Sequence, residues 1–245
     1  SVSTSTSTSA SSGSGGGSWA LVQSTMRNWD VPDTTWQGGP VSFDVQQGST
    51  LVMAVYGLSF PTVPFDPPVD SMGQPVLQAV ATGNEAATQA FGWVLHDATA
   101  GTHTWTSLPQ MQMGDGKLWF MEFDPPGTAP STTVLGAGTS ILQAFVEPWL
   151  TGGSVTMSSG ANPGDLLVAF SFEEEGSVGY VNTPYTDPPA GWQSLGVQND
   201  TTINIGGAAC WRTAPDATPQ TVTWEWQITG EQNPTVFKGA IFAVH

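Results

Sequence analysis

The sequence predicts an all-β protein: two tandem homologous β-sandwich domains behind a flexible Ser/Thr/Gly arm. Three observations predict it. Thr221–Ile228 (T-V-T-W-E-W-Q-I) alternates Val222, Trp224, Trp226 and Ile228 with Thr221, Thr223, Glu225 and Gln227. Side chains of a strand point alternately to its two faces, so one face is apolar and the other polar. The composition is rich in Gly (29), Pro (19) and Trp (11), with only 10% charged residues, which suits short strands joined by turns. No long window carries apolar residues at helical spacing. Finally, from Trp19 onward the chain reads as one text written twice.

The elements follow in order. Ser1–Ser18 alternates Ser and Thr and then turns to Gly and Ser. It holds too little apolar surface to offset its conformational entropy, so a flexible arm is expected, able to order against a partner. Residues 19–138 form the first expected repeat and 139–245 the second, with a boundary near Gly136–Thr139. Val41–Val45 alternates, whereas Leu51–Tyr56 and Leu166–Phe172 are unbroken apolar runs suited to central strands. Gln89–Leu95, Lys117–Phe123, Gly207–Arg212 and Phe237–Val244 complete the set. About eight strands per copy point to a jelly roll or an immunoglobulin-like sandwich.

The repeat rests on four echoes. Gly48-Ser-Thr-Leu51-Val52 matches Gly164-Asp-Leu-Leu167-Val168, and Asp66-Pro-Pro68 matches Asp187-Pro-Pro189. Ala90 and Trp93 before Asp97-Ala98-Thr99 match Ala209 and Trp211 before Asp216-Ala217-Thr218. Lys117–Phe123 matches Lys238–Val244. Each half also carries ten acids and two cations.

Charge and cysteine use narrow the function. The net charge is −16, with Arg27, Lys117, Arg212 and Lys238 the only cations besides histidine. Binding to a phosphate backbone needs clustered Lys and Arg, so nucleic acid and anionic membranes are poor partners. Cys210 is alone, which excludes an intrachain disulfide and a thiolate zinc site. No apolar run is long enough to span a bilayer as a helix, so no membrane insertion is expected. The N-terminus lacks a basic-then-apolar leader pattern, so synthesis in a host cytoplasm without a signal peptide is expected.

The second copy resembles a small β-sandwich module repeated, often in tandem, in bacteriophage virion surface proteins. The resemblance is carried by Gly164-Asp-Leu-Leu-Val168, Pro188-Pro-Ala-Gly-Trp192, Ala208-Ala-Cys-Trp-Arg212, Thr221-Val-Thr-Trp224 and Ala240-Ile-Phe-Ala243. It spans about 80 residues; the first copy follows it loosely, with Asp70-Ser-Met-Gly73 standing where Ala190-Gly-Trp192 stands in the second. The resemblance implies a non-enzymatic decoration, fibre or tail-attached protein, located on the virion and present in multiple copies or as a homo-oligomer. Its implied partners are other virion proteins, through the arm or a sandwich face, and a host-surface glycan. No catalytic residues travel with the resemblance.

Candidate contacts are few. Tryptophan rings stack on sugar faces; Trp29, Trp36, Trp149 and Trp192 stand near turn residues and are the candidate ligand or partner contacts. Trp105 and Trp224 sit in alternating strands and read as core. His103 aligns with Val222, which makes it a packed imidazole rather than a metal ligand. Asp66, Asp70, Asp187 and Glu173–Glu175 carry oxygens of the kind calcium takes, yet no D-x-D-x-D-G loop gathers them. No metal or cofactor is therefore expected. A glycan-degrading enzyme would need two placed carboxylates, and nothing in the sequence selects a pair; a carbohydrate-binding adhesin, extracellular and outside any virion, is the first alternative.

Overall fold

In a computed structural model of the chain, the residues described are 18–29, 40–59, 67–81, 88–106, 113–127, 134–144, 150–175, 181–184, 187–200, 205–229 and 235–245. The arm lies outside them but for Ser18, as do Trp36, Asp66 and Trp149. Among the described residues all regular structure is strand. Two compact units divide the chain: Ser1–Val134 with Val244–His245, and Leu135–Ala243.

The first unit contains β1 (Ala20–Trp29), β2 (Val41–Val45), β3 (Thr50–Ser59), β4 (Val69–Asp70), β5 (Leu77–Ala81), β6 (Thr88–Leu95), β7 (Gly101–Thr106) and β8 (Met113–Asp124). They form a five-stranded sheet ordered β1-β8-β3-β6-β5 and a three-stranded sheet ordered β2-β7-β4. The core lies between these sheets. Val41, Phe43 and Val45 from β2 and Trp105 from β7 meet Leu51, Met53, Val55, Trp93 and Phe120 from the larger sheet. Phe43 stacks on Phe120 with centroids 4.6 Å apart, and Trp105 tilts against Phe120 at 5.0 Å. Such aromatic contacts add roughly 0.5–1.5 kcal/mol each beyond burial.

The second unit contains β9 (Val134–Ala144), β10 (Leu150–Thr156), β11 (Leu166–Glu175), β12 (Val181–Pro184), β13 (Gln193–Asp200), β14 (Ile205–Thr213), β15 (Thr221–Thr229) and β16 (Thr235–Val244). Its sheets are ordered β13-β14-β11-β16-β9 and β10-β15-β12. Read from the other edge, the five-stranded order is that of the first unit with eight added to each number. The core again lies between the sheets, where Val155, Val222 and Trp224 meet Leu167, Ala169, Cys210, Ile241 and Trp192. Thus both units are antiparallel β-sandwiches, and in each the pairings are nested: β1 with β8, β2 with β7 and β3 with β6, then β9 with β16, β10 with β15 and β11 with β14.

Central strands are buried on both faces, which accounts for their unbroken apolar runs. Val52, Ala54 and Met121 lie on the face of the first five-stranded sheet away from its core cluster, and Val168, Phe170 and Phe242 do so in the second; all are fully buried. The strands of the smaller sheets are half-buried and alternate, as in β2, where burial runs in, out, in, out, in.

Matching turns open β3 and β11. Gly48 N–H donates to Ala98 O (2.8 Å) and Ala98 N–H to Ser49 O (2.9 Å); Gly164 N–H donates to Ala214 O (2.9 Å) and Ala214 N–H to Asp165 O (2.8 Å). Gly48 and Gly164 have φ of 87° and 96°, a left-handed backbone that favours glycine. The polar faces match as well. Ser42 and Thr104 hydroxyls are 2.8 Å apart across β2 and β7, and Ser154 and Thr223 are 2.7 Å apart across β10 and β15.

Gly136–Thr139, near the expected boundary, lies inside β9, just after the division between the units at Val134 and Leu135. Other sequence readings are corrected. Trp29 is not in a loop but ends β1, opposite Gly116. The strand was hidden because its residues from Ala20 to Arg27 are all partly exposed and carry no clean alternation. Glu173–Glu175 belong to β11, which extends past the apolar run ending at Phe172, with Glu173 opposite Gly206 and Glu174 opposite Ile205. The echo of Ala98 is Ala214, not Ala217, as the turn bonds above establish. Asp97, with φ 49°, lies in a turn of the first unit one residue longer than its counterpart: His96 and Asp97 stand between Leu95 and Ala98, and Thr213 alone stands between Arg212 and Ala214.

Candidate functional site

Ladder register places each residue of one unit against its counterpart in the other. Leu51 pairs with Leu95 and Leu167 with Arg212, so Leu95 corresponds to Arg212, Trp93 to Cys210 and Phe91 to Ala208. Edge strands β5 and β13 carry a bulge at the same point, between Gln78 and Val80 and between Ser194 and Gly196. Val76 therefore corresponds to Trp192, which replaces the sequence-level match of Ala190-Gly-Trp192 to Asp70-Ser-Met-Gly73.

In the first unit the segment before β5 is tied down by a sealed polar network. His103 and Asp70 are 0% and 3% exposed. His103 Nδ1 lies 2.9 Å from Asp70 Oδ1 and Nε2 lies 2.8 Å from Thr99 O. Both partners are acceptors, so the ring is satisfied on both sides when both nitrogens donate. Asp70 Oδ2 accepts from Met72 N–H (3.1 Å) and Gln74 N–H (3.3 Å), while Gln74 Oε1 accepts from Thr99 N–H (2.8 Å). Ser71 N–H donates to Thr104 O at 2.9 Å, extending β4 along β7. Both Asp70 oxygens and both His103 nitrogens are hydrogen-bonded, which makes the pair a structural tie. Among the described residues no three His, Cys, Asp or Glu converge on a metal-sized site.

In the second unit the corresponding segment is tied by an aromatic plug. Trp192 is 6% exposed and packs into the core, and its ring lies 4.5 Å beneath the Arg212 guanidinium carbon. This is cation–π geometry. Arg212 Nη2 donates to Gln220 Oε1 (2.6 Å), and Gln220 Nε2 donates to Asp216 Oδ1 (2.9 Å) and Thr218 O (2.8 Å). The Thr218 hydroxyl and backbone N–H hold the Asp216 carboxyl below its ordinary range, and burial lowers the Arg212 guanidinium from its own. Gly160 in the loop before Asn162 has no room for a side chain, since a Cβ would run into the Ala217 carbonyl oxygen.

Beside this plug is a cleft of about 350 Å³, walled by Pro189, Trp192 and Arg212 and by Thr221, Thr223 and Glu225 of β15. Among the described residues the β12–β15 ladder runs from Val181 opposite Thr229 to Pro184 opposite Trp226, beyond the part of β15 that lines the cleft. The cleft mixes an apolar wall, a fork of donors, a carboxylate and hydroxyls, a composition suited to a small polar ligand. Trp192 is thus a cleft wall with one face under Arg212 rather than an open stacking platform. Sequence reasoning missed Arg212, Thr221, Thr223 and Glu225, because nothing local in a strand marks which outward residues share a cleft with a distant loop.

Burial pushes the Cys210 thiol up. Asp187 is exposed, and partial desolvation raises its carboxyl against the opposing Ser194 hydroxyl at 2.9 Å. His96 is 9% exposed, both ring nitrogens are buried without a hydrogen-bond partner, and burial pushes it down to about 4. Compared with protein-family models, curated proteins and solved structures, the chain has no match.

Proposed function

We propose that this chain is a non-enzymatic surface component of a bacteriophage-type virion, a decoration, fibre or tail-attached protein displaying two homologous jelly-roll sandwiches for attachment to a host surface. One observation carries the reading: a sandwich with the same nested strand order and the same glycine turns is built twice in one chain. Nested pairing of the first strand with the eighth, the second with the seventh and the third with the sixth is the wrapping of a jelly roll, an architecture used in viral capsids and lectins. A duplicated gene is the economical source of two such units. Many copies on one particle turn weak contacts into avidity. Ser1–Ser18 and the sandwich faces are the proposed contacts with other virion proteins, and the virion is the proposed location.

Mass spectrometry of particles purified from the system that encodes this chain tests the proposal. The chain is expected among the particle proteins at many copies; its absence from intact particles overturns the reading. The cleft favours a second reading, a carbohydrate-binding adhesin outside any virion. That reading predicts secreted or cell-surface chain with no particle attached.

A further inference from the structure

We propose that the cleft walled by Trp192, Arg212 and Glu225 is a binding site for one or two units of a neutral saccharide, and that the first unit has no counterpart. The inference rests on the attachment reading and gives it a site. Four observations carry it. The volume, about 350 Å³, falls at the small end of ligand sites, enough for a sugar unit or two.

The hydrogen-bonding groups are complementary to a diol. Glu225 is exposed and its ionised carboxylate only accepts, while Arg212 only donates. Adjacent sugar hydroxyls do both. Thr221 and Thr223 add hydroxyls that are already paired with Thr156 (2.9 Å) and Ser154 (2.7 Å). Each pair contains two O–H groups and uses one between them, so one hydrogen per pair remains for a ligand.

The guanidinium is held in place before any ligand arrives. Trp192 supports it from below and Gln220 fixes Nη2. Arg212 Nε is buried without a partner, so the amino groups provide its remaining donors. Preorganisation of this kind lowers the entropic cost of binding.

Charge selects the neutral class. Glu225 faces into the cleft, Asp216 and Asp187 sit close by in sequence and space to its walls, and the chain carries −16 overall. A uronate or sialylated chain would meet that field at a disadvantage. At the corresponding positions the first unit has neither the cation, the indole nor the carboxylate: Leu95 stands for Arg212, Val76 for Trp192 and Thr106 for Glu225, with Thr102 and Thr104 for Thr221 and Thr223.

The test titrates the full chain, ¹⁵N-labelled, with neutral hexose and N-acetylhexosamine trisaccharides and with an oligogalacturonate, following amide and guanidinium signals. Saturable shifts at Thr221, Thr223, Glu225 and Arg212 with a neutral trisaccharide, weakened about tenfold or more in Glu225→Gln and in Arg212→Lys, support the site. Three results overturn it: no saturable shift with any neutral sugar, shifts mapping elsewhere or unchanged in both variants, or tighter binding of the oligogalacturonate. Finding the chain on particles without sugar binding sinks the site alone. Sugar binding by a chain absent from particles sinks the virion reading and leaves the site standing.

Discussion

The two sandwiches share a wrapping and fill it in opposite ways. In the first unit β6 supplies the bulk, with Phe91 and Trp93 stacked 5.4 Å apart, and the segment before β5 adds only Val76. In the second unit β14 offers Ala208 and Cys210 at those positions, Ala169 replaces Met53, and the segment before β13 sends in Trp192. Volume lost from one strand is restored from another, as close packing demands. The tie on that segment changes with it. The first unit uses His103, Asp70 and Gln74; the second has Val222 in place of the imidazole and Arg212 laid on Trp192. The lesson is that one scaffold tolerates a polar lock or an aromatic plug, and only the plug leaves a polar cleft beside it.

The largest expected effects probe the shared part. Trp105 and Trp224 occupy the same place, fully buried at 1% and 0%, so Trp105→Ala and Trp224→Ala should each cost about 3–5 kcal/mol in denaturant unfolding. Losses differing by more than about 2 kcal/mol would break the equivalence of the two cores.

A smaller effect sharpens the difference. His103→Val, which installs the second unit's residue, leaves the Asp70 carboxylate buried without its partner and should cost about 3 kcal/mol. Asp70→Asn should cost less, because its amide can donate to Nδ1 of a neutral ring that still donates from Nε2 to Thr99 O. Equal losses in chemical denaturation would refute the polar-lock account.

The smallest is a pH effect confined to the first unit. His96 is pushed down to about 4 from 6.5, so the unfolded chain takes up a proton before the folded one does. Stability is complete above about pH 6.5 and falls as pH drops toward 4, by about 2 kcal/mol after allowing for partial solvent access. His96→Leu should flatten the acid limb of Tm against pH, and an unchanged slope would locate the loss elsewhere.

Much of the strand pattern was legible because period-two alternation and unbroken apolar runs report burial on one or both faces. Val41–Val45 and Thr221–Ile228 announced half-buried strands, and Leu51–Tyr56 and Leu166–Phe172 central ones. Burial of Trp105, Trp224 and His103 followed from the same pattern. By contrast, β1 carried no alternation, and the match of Trp93 to Trp211 failed because a one-residue difference in a turn reverses which face a side chain takes. Trp192 was visible as a tryptophan after a turn, but its role was not.

The sequence by itself determined that this is an all-strand chain, acidic, with Cys210 alone and a repeated text, since these depend on composition and local periodicity. Only the tertiary structure decided that Trp192 fills the gap left by Ala208 and Cys210, that Arg212 lies on its ring, and that Glu225 shares their cleft. Those relations join residues from two separate strands and a loop, and nearest neighbours in the chain carry no information about which distant side chains must share a volume or a hydrogen bond.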